Sequence, residues 1–98
     1  MWVGATSYGP ASTAPPSSVE AVHKALHDIG EECLETTPDL GKIGSDVDLI
    51  ITFSLRYPTG RFLIDDETAN ASSLLLVTRE AVKPCAPAEL DRLDAVRQ

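Results

Sequence analysis

His23, His27 and Glu31 follow one another at four-residue intervals. On an α-helix that spacing lines them along one face, where two imidazoles and a carboxylate could be offered to a metal such as zinc. No HExxH pattern accompanies them, and no further ligand stands out elsewhere in the chain. The three residues therefore read as the solvated flank of a helix, with metal binding as the weaker alternative. The two cysteines, Cys33 and Cys85, are 52 positions apart, which suits neither a CxxC redox pair nor a four-ligand zinc site. They read as a structural disulfide; the alternative is two reduced thiols packed as small hydrophobes.

Catalytic constellations are not apparent. A cysteine nucleophile with a histidine base needs a basic neighbourhood to lower the thiol pKa, and only Lys83 lies near Cys85 in sequence. There is no GxSxG, no glycine-rich phosphate loop and no pair of carboxylates that the sequence places across a cleft. Asp65, Asp66 and Glu67 are explained as negative charge opening a helix, and no EF-hand loop surrounds them. Asn70-Ala71-Ser72 matches a glycosylation acceptor but falls inside the helix expected there, so it is discounted. A noncatalytic protein without a cofactor is the expectation.

The best surface candidate is Arg56-Tyr57-Pro58-Thr59-Gly60-Arg61-Phe62, where two arginines and two aromatics gather around Pro and Gly. Arg56, Tyr57, Arg61 and Phe62 are the residue types that anchor protein interfaces. The competing reading tucks Tyr57 and Phe62 into the core and pairs the arginines with Asp48, Asp65 or Asp66. Leu76 joins the candidates because it lies opposite the apolar arc of its expected helix. Its alternative is a helix packed on two sides.

The elements that must position these residues are mostly helical. Ser17 and Glu20 form a capping box behind Pro16, and Val19, Val22, Leu26, Ile29 and Cys33 follow as an apolar stripe, predicting a helix that ends near Thr36. Asp65 and Asp66 are expected to open another helix, with Ala71, Leu74, Leu75, Val77, Ala81 and Val82 on one arc before Pro84. Pro87 starts a short last helix with Leu90, Leu93 and Val96. Residues 46–65 are ambiguous. A helix capped by Ser45 and Asp48 and stopped by Pro58 competes with a β-hairpin over about 47–64, and the helix is preferred because a lone hairpin is marginal. The fold class read from this is an all-α four-helix domain stapled by one disulfide, with an α+β arrangement as the alternative.

Composition frames the function. The chain has 98 residues and a formal net charge of −7, and residues 1–16 hold none of the charged residues. That Ala/Ser/Thr/Pro-rich segment reads as a disordered linker or anchor remnant, and residues 17–98 as the domain. The acidic balance argues against nucleic acid, and no apolar run is long enough to span a membrane. Met1-Trp2-Val3-Gly4-Ala5 lacks the features of a signal peptide, yet it suits the end of an upstream apolar anchor or signal. The expected function is a noncatalytic secreted or membrane-tethered module that contacts a protein or cell-envelope component. A small cytosolic regulatory or accessory subunit is the alternative.

Overall fold

The computed structural model describes residues 15–58, 62–64 and 67–97. Residues 1–14 of the expected linker lie outside them, as do Arg61, Asp65 and Asp66 and the side chain of Phe62. Four helices make the domain: α1 (Pro16–Glu32), α2 (Leu40–Arg56), α3 (Ala71–Val82) and α4 (Ala88–Arg97). A short antiparallel hairpin, β1 (Phe62–Ile64) with β2 (Glu67–Ala69), connects α2 to α3 in the register Phe62↔Ala69 and Ile64↔Glu67. The all-α expectation holds for the architecture. The hairpin alternative over 47–64 does not, since Leu40–Arg56 is one continuous helix and the observed hairpin begins at Phe62.

The helix starts differ from those expected, and each difference has a local cause. α1 begins at Pro16, whose ring pre-sets the helical φ, and the Ser18 and Val19 amides donate to the Pro15 carbonyl without help from the Ser17 side chain. It ends at Glu32, not Thr36, with Cys33 as its C-cap. α2 begins six residues before Asp46 because Asp39 caps it, its carboxylate accepting from the Lys42 amide at 3.1 Å. Ser45 is thus interior to α2. Glu32 also accepts from the Asp39 amide at 3.0 Å, which ties the end of α1 to the start of α2. α3 begins at Ala71, not near Asp65, because Asn70 and Ser73 form a reciprocal capping box while Glu67 belongs to β2.

One core joins the helices. Val22, Ala25 and Ile29 of α1 meet Ile43, Val47, Ile50 and Phe53 of α2, and Leu74, Leu75, Val82 and Leu93 close it from α3 and α4. Val19, Leu26 and Cys33, the remainder of the α1 stripe, are partly buried against it. On α3 the expected arc is shifted: Thr78 is fully buried, its hydroxyl donating to the Leu74 carbonyl at 2.8 Å, while Val77 is half exposed. The buried positions 71, 74, 75, 78 and 82 keep helical spacing, and Val77 falls off that line.

The sulfurs of Cys33 and Cys85 lie at bonding distance, with their Cα atoms 5.3 Å apart. Cys33 caps α1, and Cys85 sits in the turn between α3 and α4. The pair therefore joins the end of the first helix to the approach to the last, as expected. Ion pairs supplement it at the surface: Arg92 holds both Asp48 of α2 and Glu89, and Arg79 holds Asp94 at 2.9 Å.

Candidate functional site

Where the N-terminal half of α1 crosses the C-terminal half of α2, the two helices leave an apolar groove of about 200 Å³. Ala21 and Val22 form its α1 side, and Leu49 and Phe53 its α2 side. Ser18, Thr52, Arg56 and Tyr57 complete its lining. Val22 and Phe53 are core residues, so the groove has a rigid floor. Leu49 and Thr52, by contrast, are exposed at its edge.

Arg56 and Tyr57 terminate α2 and are brought together there. The Tyr57 ring lies 5.1 Å from that of Phe53 and is half buried against the core. The Arg56 guanidinium stacks 5.8 Å from the centre of the Tyr57 ring, and its Nε donates to the phenolic oxygen at 3.3 Å. This is cation–π geometry, and the positive charge suits the carboxyl end of a helix. Tyr57 therefore packs against the core and also lines the groove. Of the pairings expected for the arginines, those with Asp65 and Asp66 lie outside the described residues, and that of Arg56 with Asp48 is corrected. Asp48 points to α4 and pairs with Arg92, which Glu89 holds in place.

The other candidates lie elsewhere. Leu76 is 44% exposed on α3 and does not line the groove, which corrects the reading of a helix packed on two sides. His23, His27 and Glu31 are exposed along α1. Among the described residues no three His, Cys, Asp or Glu side chains gather as a metal set. Asn70 precedes α3 instead of lying within it.

A charged seam between α1 and α2 was not apparent in the sequence. Lys24 pairs with Asp28 at 3.0 Å, Lys42 approaches Glu32 at 3.8 Å, and Asp46 lies among them. Burial raises the Asp46 carboxyl above its ordinary range, and the neighbouring Asp28 charge adds to this. Asp28 moves the other way because its carboxylate accepts a hydrogen bond from Lys24. Lys24 and Asp28 are four residues apart on α1 and Lys42 and Asp46 four apart on α2, but the approach of Lys42 to Glu32 and of Asp46 to Asp28 comes only from the helix-to-helix register.

Comparison with family models, curated proteins and solved structures finds no match to any of them. Among the described residues, no helix is long and apolar enough to cross a membrane. The bonded cysteine pair is the form that an oxidising environment favours.

Proposed function

We propose that this chain is a noncatalytic helical module working outside the cytoplasm, secreted or membrane-tethered, that binds a protein segment or envelope component in the α1–α2 groove. The observation that carries the proposal is the groove itself: an apolar trough with a fixed floor and the Arg56–Tyr57 stack on its rim. Arginine and tyrosine dominate the energetics of many protein interfaces, because each offers a broad apolar surface with a polar tip. The Cys33–Cys85 pair supports the compartment. A cytosolic protein would be exposed to reducing buffers that disfavour such a bond.

Two measurements test this reading. Native protein collected in the presence of a thiol-alkylating reagent and then denatured in it should carry no alkyl groups until it is reduced. Alkylation of both cysteines without reductant would remove the argument for an oxidising compartment. A photo-crosslinking residue at Thr52 should give a discrete adduct in the native source, and Arg56→Glu should abolish it. An adduct that survives Arg56→Glu, or none at all, counts against the groove as the binding surface.

A further inference from the structure

We propose that the occupant of the α1–α2 groove is an extended protein segment that sets one aromatic or large aliphatic side chain in the trough and, two residues away, an Asp or Glu carboxylate on Arg56. This rests on the groove being a binding surface, and it names the chemistry of the partner. Size is the first observation. Pockets for small molecules and cofactors hold about 300–1,000 Å³, whereas this trough holds about 200 Å³, room for one large side chain. Its walls are Ala21, Val22, Leu49 and Phe53, so the side chain that gains by leaving water there is apolar. Charge is the second observation. Arg56 is the one charged residue among the described lining residues. Lys24, Lys42, Arg79 and Arg92 each hold a carboxylate, but Arg56 holds none among the described residues. Its Nε donates to the Tyr57 hydroxyl at 3.3 Å, which leaves the two terminal nitrogens to hold both oxygens of a carboxylate.

Spacing joins the two. Along α2, Arg56 lies about 4.5 Å beyond Phe53 and about 10.5 Å beyond Leu49, at about 1.5 Å per residue. In an extended segment, residues i and i+2 face the same way about 6.6 Å apart, so a side chain seated over Leu49 and Phe53 brings the next residue on that face to Arg56. A free carboxyl terminus on the seated residue itself stops short of it. The favourable charge is also local. Asp46 precedes Leu49 by three residues on α2 and lies near Asp28 and Glu32, so the line of the groove runs into acidic side chains that outnumber Lys24 and Lys42. A carboxylate on Arg56 stands about 15 Å of helix rise from Asp46, beyond the screening length of about 8 Å. A polyanion or an anionic lipid surface laid along the groove would meet those acids, in a chain of net charge −7.

The test is a nuclear magnetic resonance titration of the full oxidised chain, labelled with nitrogen-15, by acetyl-Phe-Gly-Asp-amide, acetyl-Phe-Gly-Asn-amide and acetyl-Gly-Gly-Phe, whose only charge is its terminal carboxylate. The Asp peptide should shift the amide signals of Ala21, Val22, Leu49 and Thr52 with a dissociation constant on the order of a millimolar, and the Asn peptide should bind about two- to fivefold more weakly. Arg56→Gln should make the two equal while the amide signals of α3 and α4 stay in place, and about 0.5 M salt should narrow the difference in the parent. Equal affinity of the Asp and Asn peptides for the parent, or a preference that survives Arg56→Gln, would overturn the proposal while leaving the groove as a binding surface. If acetyl-Gly-Gly-Phe binds as tightly as the Asp peptide, the partner is a chain terminus and the proposal fails. Loss of the groove signals on adding phosphatidylglycerol vesicles would overturn it in favour of a lipid surface. Silence of the groove amides toward all the peptides at about ten millimolar would remove both the proposal and the groove reading beneath it.

Discussion

Breaking the Cys33–Cys85 bond should cost this domain a large part of its stability. The bond closes a loop of 52 residues, for which the chain-entropy relation gives about 4 kcal/mol at 25 °C. A domain of this size has a total of roughly 4–12 kcal/mol at 0.05–0.15 kcal/mol per residue. The bond matters structurally because Cys33 terminates α1 and Cys85 lies in the α3–α4 turn, so the cross-link limits how far the first and last thirds of the chain can separate when unfolded. The assay is urea unfolding, followed by circular dichroism, of the oxidised chain, the reduced chain and the Cys33→Ala/Cys85→Ala variant. Linear extrapolation should put the reduced chain about 4 kcal/mol below the oxidised one, and the double variant should fall within about 1 kcal/mol of the reduced chain. A gap under about 1 kcal/mol between oxidised and reduced protein would refute the loop-closure reasoning.

Further outcomes follow from other parts of the fold. Leu93→Ala should destabilise by about 2–5 kcal/mol in the same urea assay, because this fully buried side chain is the main apolar anchor of α4, whereas Leu76→Ala on the exposed side of α3 should stay within about 0.5 kcal/mol. Gly30→Ala should raise the unfolding free energy by about 0.5–1 kcal/mol, since position 30 is helical and an added Cβ meets nothing within 4 Å. Asp46 and Asp28 should oppose each other in acid. Asp46 has a folded pKa above its ordinary 3.8, so its contribution falls as pH rises between the two values, whereas Asp28, held below 3.8 by Lys24, contributes stability that is lost as pH falls through its lowered value. Asp46→Asn removes the first effect, so urea midpoints measured from about pH 3 to 6 should climb more steeply with pH than in the parent; parallel profiles would contradict the burial of this carboxyl.

The parts of the fold that sequence reading reached are those set by local periodicity. Val22 and Ile29 recur at helical spacing and are buried at that spacing, and Pro16, Pro84 and Pro87 bracket helices because a proline ring acts on its own neighbours. The errors fall where a distant contact decides. Leu40-Gly41-Lys42-Ile43-Gly44 has two glycines and reads as a poor helix, yet it forms the first turns of α2 because Ile43 is fully buried and Asp39 caps the end. Asp65 and Asp66 resemble a helix opening, but α3 starts later, because Glu67–Ala69 pair with Phe62–Ile64 and Asn70 forms the capping box with Ser73. The cysteine pair was legible from count and separation alone. The groove was legible only in part, since Arg56 and Tyr57 stand together in the sequence while Ala21 and Val22 join them through helix packing.

Among the described residues, the cation on the groove rim is used differently from those along the helix seams. In a chain of net charge −7, Lys24, Lys42, Arg79 and Arg92 each hold a carboxylate, which reduces acidic repulsion along the helix seams. Exposed pairs of this kind contribute roughly 0.2–1 kcal/mol each, so they fit the helices together at little cost if lost. Arg56 is used differently: its guanidinium lies over the Tyr57 ring, at the end of α2, beside an apolar trough. A guanidinium stacked on an aromatic ring keeps most of its hydrogen-bond donors directed outward, and it is less strongly hydrated than an ammonium, so a ligand displaces its water at lower cost. Arg56→Lys retains the charge but removes the guanidinium's contact with the Tyr57 ring and hydroxyl and its forked donors. If the groove binds an aromatic or carboxylate-bearing segment, that substitution should weaken binding nearly as much as Arg56→Ala; equal binding by Arg56→Lys and the parent would reduce the role of Arg56 to one of net charge.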